Sequence, residues 1–468
     1  MRTVGIALRA AAARTSLAGV SVALAAVAGI VLAPAAHAQE FEQGWSDPRI
    51  LSPAGLGPRY SGLLGAGVGL LSKKPSFGVS AGEFVLQPRF FLESENRSNF
   101  FRVDSRESDP EGVVSLHARP GVAVFNPDYN DVAMSLGVDL DVFVPFGDEQ
   151  ITDQTNLGGV ARLAVALWPR SAFTLTLHEA FERSLWTRPQ VSTNANRNHN
   201  VIGADASFHP GGRALDFTLG YAYELDRYDD IDRIDSDVHN VRFLGSWRFY
   251  PMTYAFLEST LAFRTYTNEA DEDVGVGNLV GSSPFRVYAG LSGLITERLS
   301  LLVRAGYGNS MLDRGDDFSS FVGMLQASWR FSPRTVIHLG IARDFEDVPL
   351  GGWVSFVRPY LAFTQRFGEI AELNVDFAYD FRSYAAWQPS PIDINGESVT
   401  PEVSDANRSE GLIRTGVLLD FDLTRLFGAT LGYRYESIVS DYTITTNGQP
   451  SFVSYDDHRI FASLNLRY

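Results

Sequence analysis

Two triplets place an imidazole beside a carboxylate: Asp237-Val238-His239 and Asp456-Asp457-His458. An Asp–His pair can orient a base or activate a water. Eight histidines in a chain of 468 residues give such neighbours by chance, however. No Gly-x-Ser-x-Gly elbow, His-Glu-x-x-His pair or phosphate-cradling glycine loop accompanies them. The chain is therefore expected not to be an enzyme. The acidic runs Asp229-Asp230-Ile231-Asp232 and Glu269-Ala270-Asp271-Glu272-Asp273 carry oxygen ligands of the kind calcium uses. Solvated charge is the commoner meaning of such a run, so neither a metal nor a cofactor is expected. With 55 acidic residues against 39 basic ones the net charge is −16, which argues against a nucleic-acid partner. Cysteine is absent, which excludes disulfides and thiolate metal sites.

More informative are charges that recur at every second position. Asp139, Asp141, Arg162, Glu224, Asp226, Arg242, Glu258, Arg264 and Arg304 do so. So do Arg330, Asp376, Asp380, Arg382, Arg414, Asp420, Asp422, Arg434 and Glu436. Each alternates with apolar neighbours, and side chains of a strand alternate between its two faces. One face is thus apolar and the other charged. In lipid such charges would be costly, so they are expected to face water as the lining of a pore.

Eighteen segments carry this alternation: 84–94, 113–124, 132–145, 160–168, 173–182, 201–208, 215–228, 240–250, 253–266, 285–295, 300–311, 321–331, 335–344, 354–367, 372–384, 412–423, 429–439 and 458–468. Segments of ~10 residues with a two-residue period are the mark of a transmembrane barrel. Short turns such as Pro333-Arg334 and Gly368-Glu369 take turns with long polar loops such as 187–200, 268–283 and 385–409. That sorting is the asymmetry of an outer-membrane barrel, with both chain ends on the short-turn side. The fold class expected is all-β: an antiparallel up-and-down outer-membrane β-barrel over 84–468. Sixteen strands is the alternative count if 84–94 or 201–208 fails to pair. The last strand ends on an aromatic residue, Tyr468, like the closing strands read by the barrel assembly machinery.

The N-terminus agrees with export. Arg2, Arg9 and Arg14 precede an apolar run from Leu17 to Leu32, then Ala36-His37-Ala38, which predicts a signal peptide cleaved after residue 38. Its removal takes away three arginines and no acidic residue, leaving 36 basic residues against 55 acidic, a net charge of −19. No later apolar stretch approaches the ~18 residues of a membrane helix. Residues 39–83 are rich in glycine and proline and hold both lysines, Lys73 and Lys74. They are expected to form a periplasmic arm or a plug. Trp247-Arg248-Phe249-Tyr250-Pro251 and Trp329-Arg330-Phe331-Ser332-Pro333 place aromatic rings at segment ends, where headgroups meet hydrocarbon. Trp186, Trp353 and Trp387 are expected at the opposite rim. Trp168 falls on the wrong parity for its segment, which suggests a bulge.

The opening of the barrel carries a family resemblance. Phe84-Val85-Leu86-Gln87-Pro88 is followed by Asn96-Arg97-Ser98-Asn99-Phe100-Phe101-Arg102, then by Ser115-Leu116-His117-Ala118-Arg119-Pro120-Gly121-Val122. This resembles the outer-membrane β-barrel porins associated with exopolysaccharide export. Those open with a Pro-containing strand, a polar loop and a Pro-Gly strand. The loop here reads Ser98-Asn99-Phe100-Phe101 where the family has an acidic-Asn pair. The resemblance implies passage of polymer or solute across the outer membrane, with periplasmic polysaccharide-export proteins as partners. A closed barrel whose loops bind a partner or surface polymer is the other function the sequence allows.

Overall fold

In the computed structural model the alternation becomes a closed wall. The structure describes residues 78–467 except 107–108, 127–130, 148, 187–194, 211–213, 230–234, 268–280, 349–351, 386–391, 395–396, 400–401, 404–407, 447–448 and 453. The signal peptide and almost all of the glycine-rich arm lie outside the described residues. So do Tyr468, Trp387 and the acidic run 269–273.

Eighteen long strands make the barrel. They are β1 (Phe84–Arg97), β2 (Val113–Phe125), β3 (Val132–Phe146), β4 (Asn156–Leu167), β5 (Phe173–Trp186) and β6 (Ala195–Phe208). They continue with β7 (Leu215–Tyr228), β8 (Ser236–Tyr250), β9 (Thr253–Tyr266), β10 (Phe285–Thr296), β11 (Leu299–Asn309) and β12 (Ser319–Ser332). The last six are β13 (Thr335–Val348), β14 (Gly352–Phe367), β15 (Ala371–Tyr384), β16 (Ser409–Asp422), β17 (Phe427–Val439) and β18 (Tyr455–Arg467). Each pairs antiparallel with the next, and β18 returns to β1 in register from Arg89↔Arg467 to Arg97↔Arg459. Both segments in doubt pair fully, so the count is eighteen and not sixteen. A short strand, Val79–Ala81, folds back on the start of β1.

Alternation along β1 shows the inverted logic of the wall. Leu86, Phe90 and Leu92 are exposed, while Gln87, Arg89, Glu93, Glu95 and Arg97 are buried. A soluble strand does the reverse. The exterior carries Phe217, Leu219, Leu257, Leu339, Leu431, Ile460 and Leu464, all exposed. An apolar band of this kind is covered by lipid, and a closed barrel leaves no strand edge unpaired within it.

Several strands run past the segments read from sequence. β6 begins at Ala195 and not Val201, and β1 ends at Arg97 and not Ser94. Alternation marks only the part of a strand that faces lipid on one side. Beyond the band both faces meet water, as along Asn196-Arg197-Asn198-His199-Asn200, yet the backbone ladder continues.

Trp168 is not in a bulge. Its φ of +53° takes it out of the strand, where its N–H donates to the Asp131 carbonyl and its carbonyl accepts from Ser171 N–H. Alternation holds only for extended backbone, so a left-handed residue resets the face. Trp353 stands at the long-loop end of β14, the rim expected for it. It is half-buried edge-on against Phe318 and donates from Nε1 to the Asp316 carbonyl at 2.7 Å.

Candidate pore lining

Strand register decides which inward charges meet. Arg89 on β1 donates through Nε and Nη2 to both carboxylate oxygens of Asp139 on β3, at 2.6 and 2.5 Å. The pair crosses β2 at Gly121, where a Cβ would come within 2.0 Å of the Asp139 carboxylate and 3.0 Å of Arg89 Nε. The glycine is what allows a fork-to-fork pair to lie flat on the wall two strands apart. Arg119 then bridges Glu93 at 3.3 Å and Asp141 at 3.1 Å, and His117 reaches Asp141 at 3.0 Å. The same device recurs at Gly220, where a Cβ would meet Asp205 at 2.2 Å; across it Arg242 on β8 pairs with Asp205 on β6 at 3.0 Å. Asp226 is shared by Arg197 and His199, at 2.6 and 2.9 Å. Replacing Gly121 with Val should therefore force the Arg89–Asp139 pair off the wall. The expected loss is ~1–3 kcal/mol in denaturant unfolding of the refolded barrel, the usual cost of overpacking.

A second cluster centres on Asp380, which is fully buried. Arg358 on β14 donates to its two oxygens at 2.5 and 2.9 Å, Arg414 on β16 reaches it at 3.0 Å, and Arg382 lies at 3.6 Å. Glu258 faces Arg304 at 3.5 Å, and the Arg304 guanidinium stands over the Tyr288 ring at 4.6 Å. Asp376 lies directly over Gly416, where a Cβ would meet its carboxylate at 2.7 Å. Asp420 accepts from Thr430 Oγ1 at 2.7 Å and Asn374 Nδ2 at 3.4 Å. Arg434 stands over the Phe461 ring at 5.5 Å. Arg382 and Arg414 of the last hairpins thus gather on Asp380, whose closest partner is Arg358. Glu224 and Arg162 lie on the inward faces of β7 and β4, and Arg264 on that of β9. Arg330 and Asp422 sit exposed near the short-turn end.

Inward charges that the alternating charge list lacked include Arg89, Glu93, Glu95 and Arg97 on β1, His117 and Arg119 on β2, Asp205, Arg358 and Asp457. The signal for β1 was present, because Gln87, Arg89, Glu93, Glu95 and Arg97 share one parity.

One loop turns into this lining. Residues 98–112 join β1 to β2. Asn99 donates from Nδ2 to the Val103 carbonyl at 2.7 Å and accepts the Val103 N–H at 2.9 Å. That clamp holds Arg102 at a φ of +55°. Arg102 then meets Glu436 on the inner face of β17 at 3.0 Å and lies 5.5 Å from the Tyr455 ring centroid. Tyr455 donates to Glu436 at 2.5 Å. On the other side Phe100 packs with Val113, Phe143 and Ile151. Phe100 and Arg102 thus reach the inner wall two strands away on either side of β1, at β3 and β17. A left-handed non-glycine residue held by its surroundings is a common mark of a functional segment.

The two Asp-x-His triplets do not form dyads. His239 Nδ1 is 2.8 Å from Tyr221 Oη, and His458 Nδ1 is 2.9 Å from Tyr433 Oη; both imidazoles are exposed on the outer wall. Asp237 pairs instead with Arg227 at 2.5 Å. In the first acidic run, Asp229 is occupied by Arg183 at 2.6 Å.

No family model and no curated protein matches the chain. Among solved structures it is similar to OccAB3 of Acinetobacter baumannii, at 9% identity over 82% of this chain and 99% of that one, TM-score 0.46. It is similar to OccK5 (OpdH) of Pseudomonas aeruginosa, at 12% identity over 82% and 98%, TM-score 0.43. It is similar too to the siderophore receptor PirA of Pseudomonas aeruginosa, at 9% identity over 85% and 81%, TM-score 0.43. At such identities and scores these likenesses carry no argument about what this chain does.

Proposed function

We propose that the chain is a channel of the bacterial outer membrane that passes small polar solutes through a lumen lined by both signs of charge. The observation that carries this is the inverted wall: a closed barrel with apolar residues outward and paired ions inward. Barrels of about this strand number are wide enough to hold water unless something fills them. Phe100 and Arg102 of the segment after β1, the latter tied to Glu436, lie against this lining, where they would shape the passage. Export of an exopolysaccharide, implied by the resemblance over the first strands, is the finer possibility. It rests on those motifs alone. Insertion by the barrel assembly machinery through the final strand belongs to the same reading.

A second reading has its own observation. The interior ion pairs lie flat and buried, and residues 39–82 are long enough to occupy a lumen. The barrel would then be closed and act through its loops. Single-channel conductance in a planar bilayer separates the two. The expected result is ohmic conductance of the full barrel, unchanged or increased without residues 39–82. No conductance from either chain would overturn the channel reading and favour the closed barrel.

A further inference from the structure

The outer wall carries one arrangement twice. On β7 and β8 it is Gly220-Tyr221-Ala222-Tyr223-Glu224 against Asp237-Val238-His239. On β17 and β18 it is Gly432-Tyr433-Arg434-Tyr435-Glu436 against Asp456-Asp457-His458. The registers match: Tyr223↔His239 and Tyr221↔Val241 in one copy, Tyr435↔His458 and Tyr433↔Ile460 in the other. So does the geometry. The Tyr223 and His239 rings are 4.9 Å apart at 30°, and Tyr435 and His458 are 4.7 Å apart at 34°. The second tyrosine of each copy lies 6.2 Å from the imidazole, at 29° and 31°. The copies are ten strands apart in a ring of eighteen, on roughly opposite sides.

Their height matters. Below His458 the outward series is Ile460, Leu464 and Leu466, and below Tyr433 it is Leu431 and Phe427, all exposed. Eight residues separate His239 from Trp247 near the short turns. At about 3.3 Å per residue and a tilt of about 40°, that is about 20 Å of height, close to a full apolar band. The Tyr–His layer therefore stands at the upper edge of the band, on the long-loop side. Rings at the lower edge include Trp247, Phe249, Trp329, Phe331 and Phe427, which bring apolar faces.

We propose that each copy is a docking site for the saccharide headgroup of an outer-leaflet glycolipid. The chemistry follows from the groups the cluster presents. When the tyrosine hydroxyl donates to Nδ1, the imidazole carries its proton on Nε2, a donor for a sugar hydroxyl. Asp237 and Asp456 supply acceptors, Asp237 while also held by Arg227 at 2.5 Å and Asp456 while also receiving the Tyr435 hydroxyl at 2.8 Å. Near-parallel Tyr and His rings give a flat face for the C–H side of a pyranose. Asp456 disfavours a purely anionic headgroup such as a lone phosphate. A free polysaccharide would need no apolar surface. The site runs without a break into Leu219, Val241, Leu431 and Ile460, so its ligand has acyl chains beneath the sugar. The assignment rests on the membrane-spanning reading of the barrel, though not on its conducting anything.

Native mass spectrometry of the refolded full chain tests it. The probes are a diacyl glycolipid with an uncharged disaccharide headgroup and phosphatidylglycerol with the same chains. The expected result is up to two glycolipids retained per barrel, one after His239→Ala and none after His239→Ala with His458→Ala. Phosphatidylglycerol retention should be weaker and unchanged by either variant. Tyr221→Phe with Tyr433→Phe keeps the rings and removes the hydroxyls that orient the imidazoles, so glycolipid affinity should fall about tenfold, which is about 1.4 kcal/mol. Unchanged glycolipid retention in the His double variant, or equal retention of phosphatidylglycerol, overturns the proposal. Should the His variants fail to fold, unchanged affinity in the Phe pair overturns it as well. A wild-type barrel that conducts nothing yet holds two glycolipids removes the channel reading and leaves this one standing.

Discussion

A chain ending at Ser463 will not yield a heat-modifiable barrel in lipid vesicles. The deletion removes Leu464 to Tyr468, which includes the short-turn end of the closing seam. On one side Leu92↔Leu464, Phe91↔Asn465, Phe90↔Leu466 and Arg89↔Arg467 are lost; on the other, Ala429↔Leu464, Gly428↔Asn465 and Phe427↔Leu466. Two strand edges, β1 and β17, then face hydrocarbon along that stretch. Each unpaired backbone group there costs several kcal/mol, because no water reaches it. A handful of them exceeds the whole ~5–15 kcal/mol that holds a typical protein together. The effect is therefore loss of insertion and not a weaker barrel. A single Leu464→Ala removes only lipid-facing surface and should still insert. Gel mobility with and without boiling, after refolding into vesicles, reads both. A truncated chain that shifts like the full one would mean that the seam is not closed by these pairs.

Asp380→Ala should be the most damaging single substitution of the inner wall. It leaves Arg358 and Arg414 without the carboxylate they share, with Arg382 beside them. Arg358 is itself buried. Removing one partner of a buried ion pair typically costs ~3–5 kcal/mol. Arg358→Ala should cost less, since Asp380 keeps Arg414. Arg414→Ala should cost less again, since the two-pronged contact with Arg358 survives. Denaturant unfolding in vesicles checks the order. The sharper test is the trio: a smaller loss for Asp380→Ala than for Arg414→Ala would mean that Asp380 is not the centre of the cluster. In a conducting barrel the same wall governs selectivity. Replacing Arg382, Arg414 and Arg434 with Ala removes three positive charges and should move the reversal potential towards cation preference. The Asp380–Arg358 pair remains in that variant, so the barrel should still assemble. An unchanged reversal potential would take these arginines out of the conduction path.

Sequence alone determined the all-β class and the eighteen alternating segments that become strands. Those depend on a two-residue period, which is a property of extended backbone and needs no partner. It also set the order of short turns and long loops, through Pro, Gly and charge at one end of the strands. Tertiary structure decided who meets whom. Arg89 and Asp139 are fifty residues apart and join because a third strand offers Gly121 between them. Asp380 takes Arg358 as its closest partner because the stagger between strands sets which inward residues stand level. Trp168 left its face through one left-handed residue, and Arg102 reached Glu436 through a loop that turns inward. The two Asp-x-His triplets were legible as residues, but their tyrosines came from the neighbouring strand. Parity is local, whereas register is fixed only when the whole ring closes, and ion pairs and ring contacts obey register.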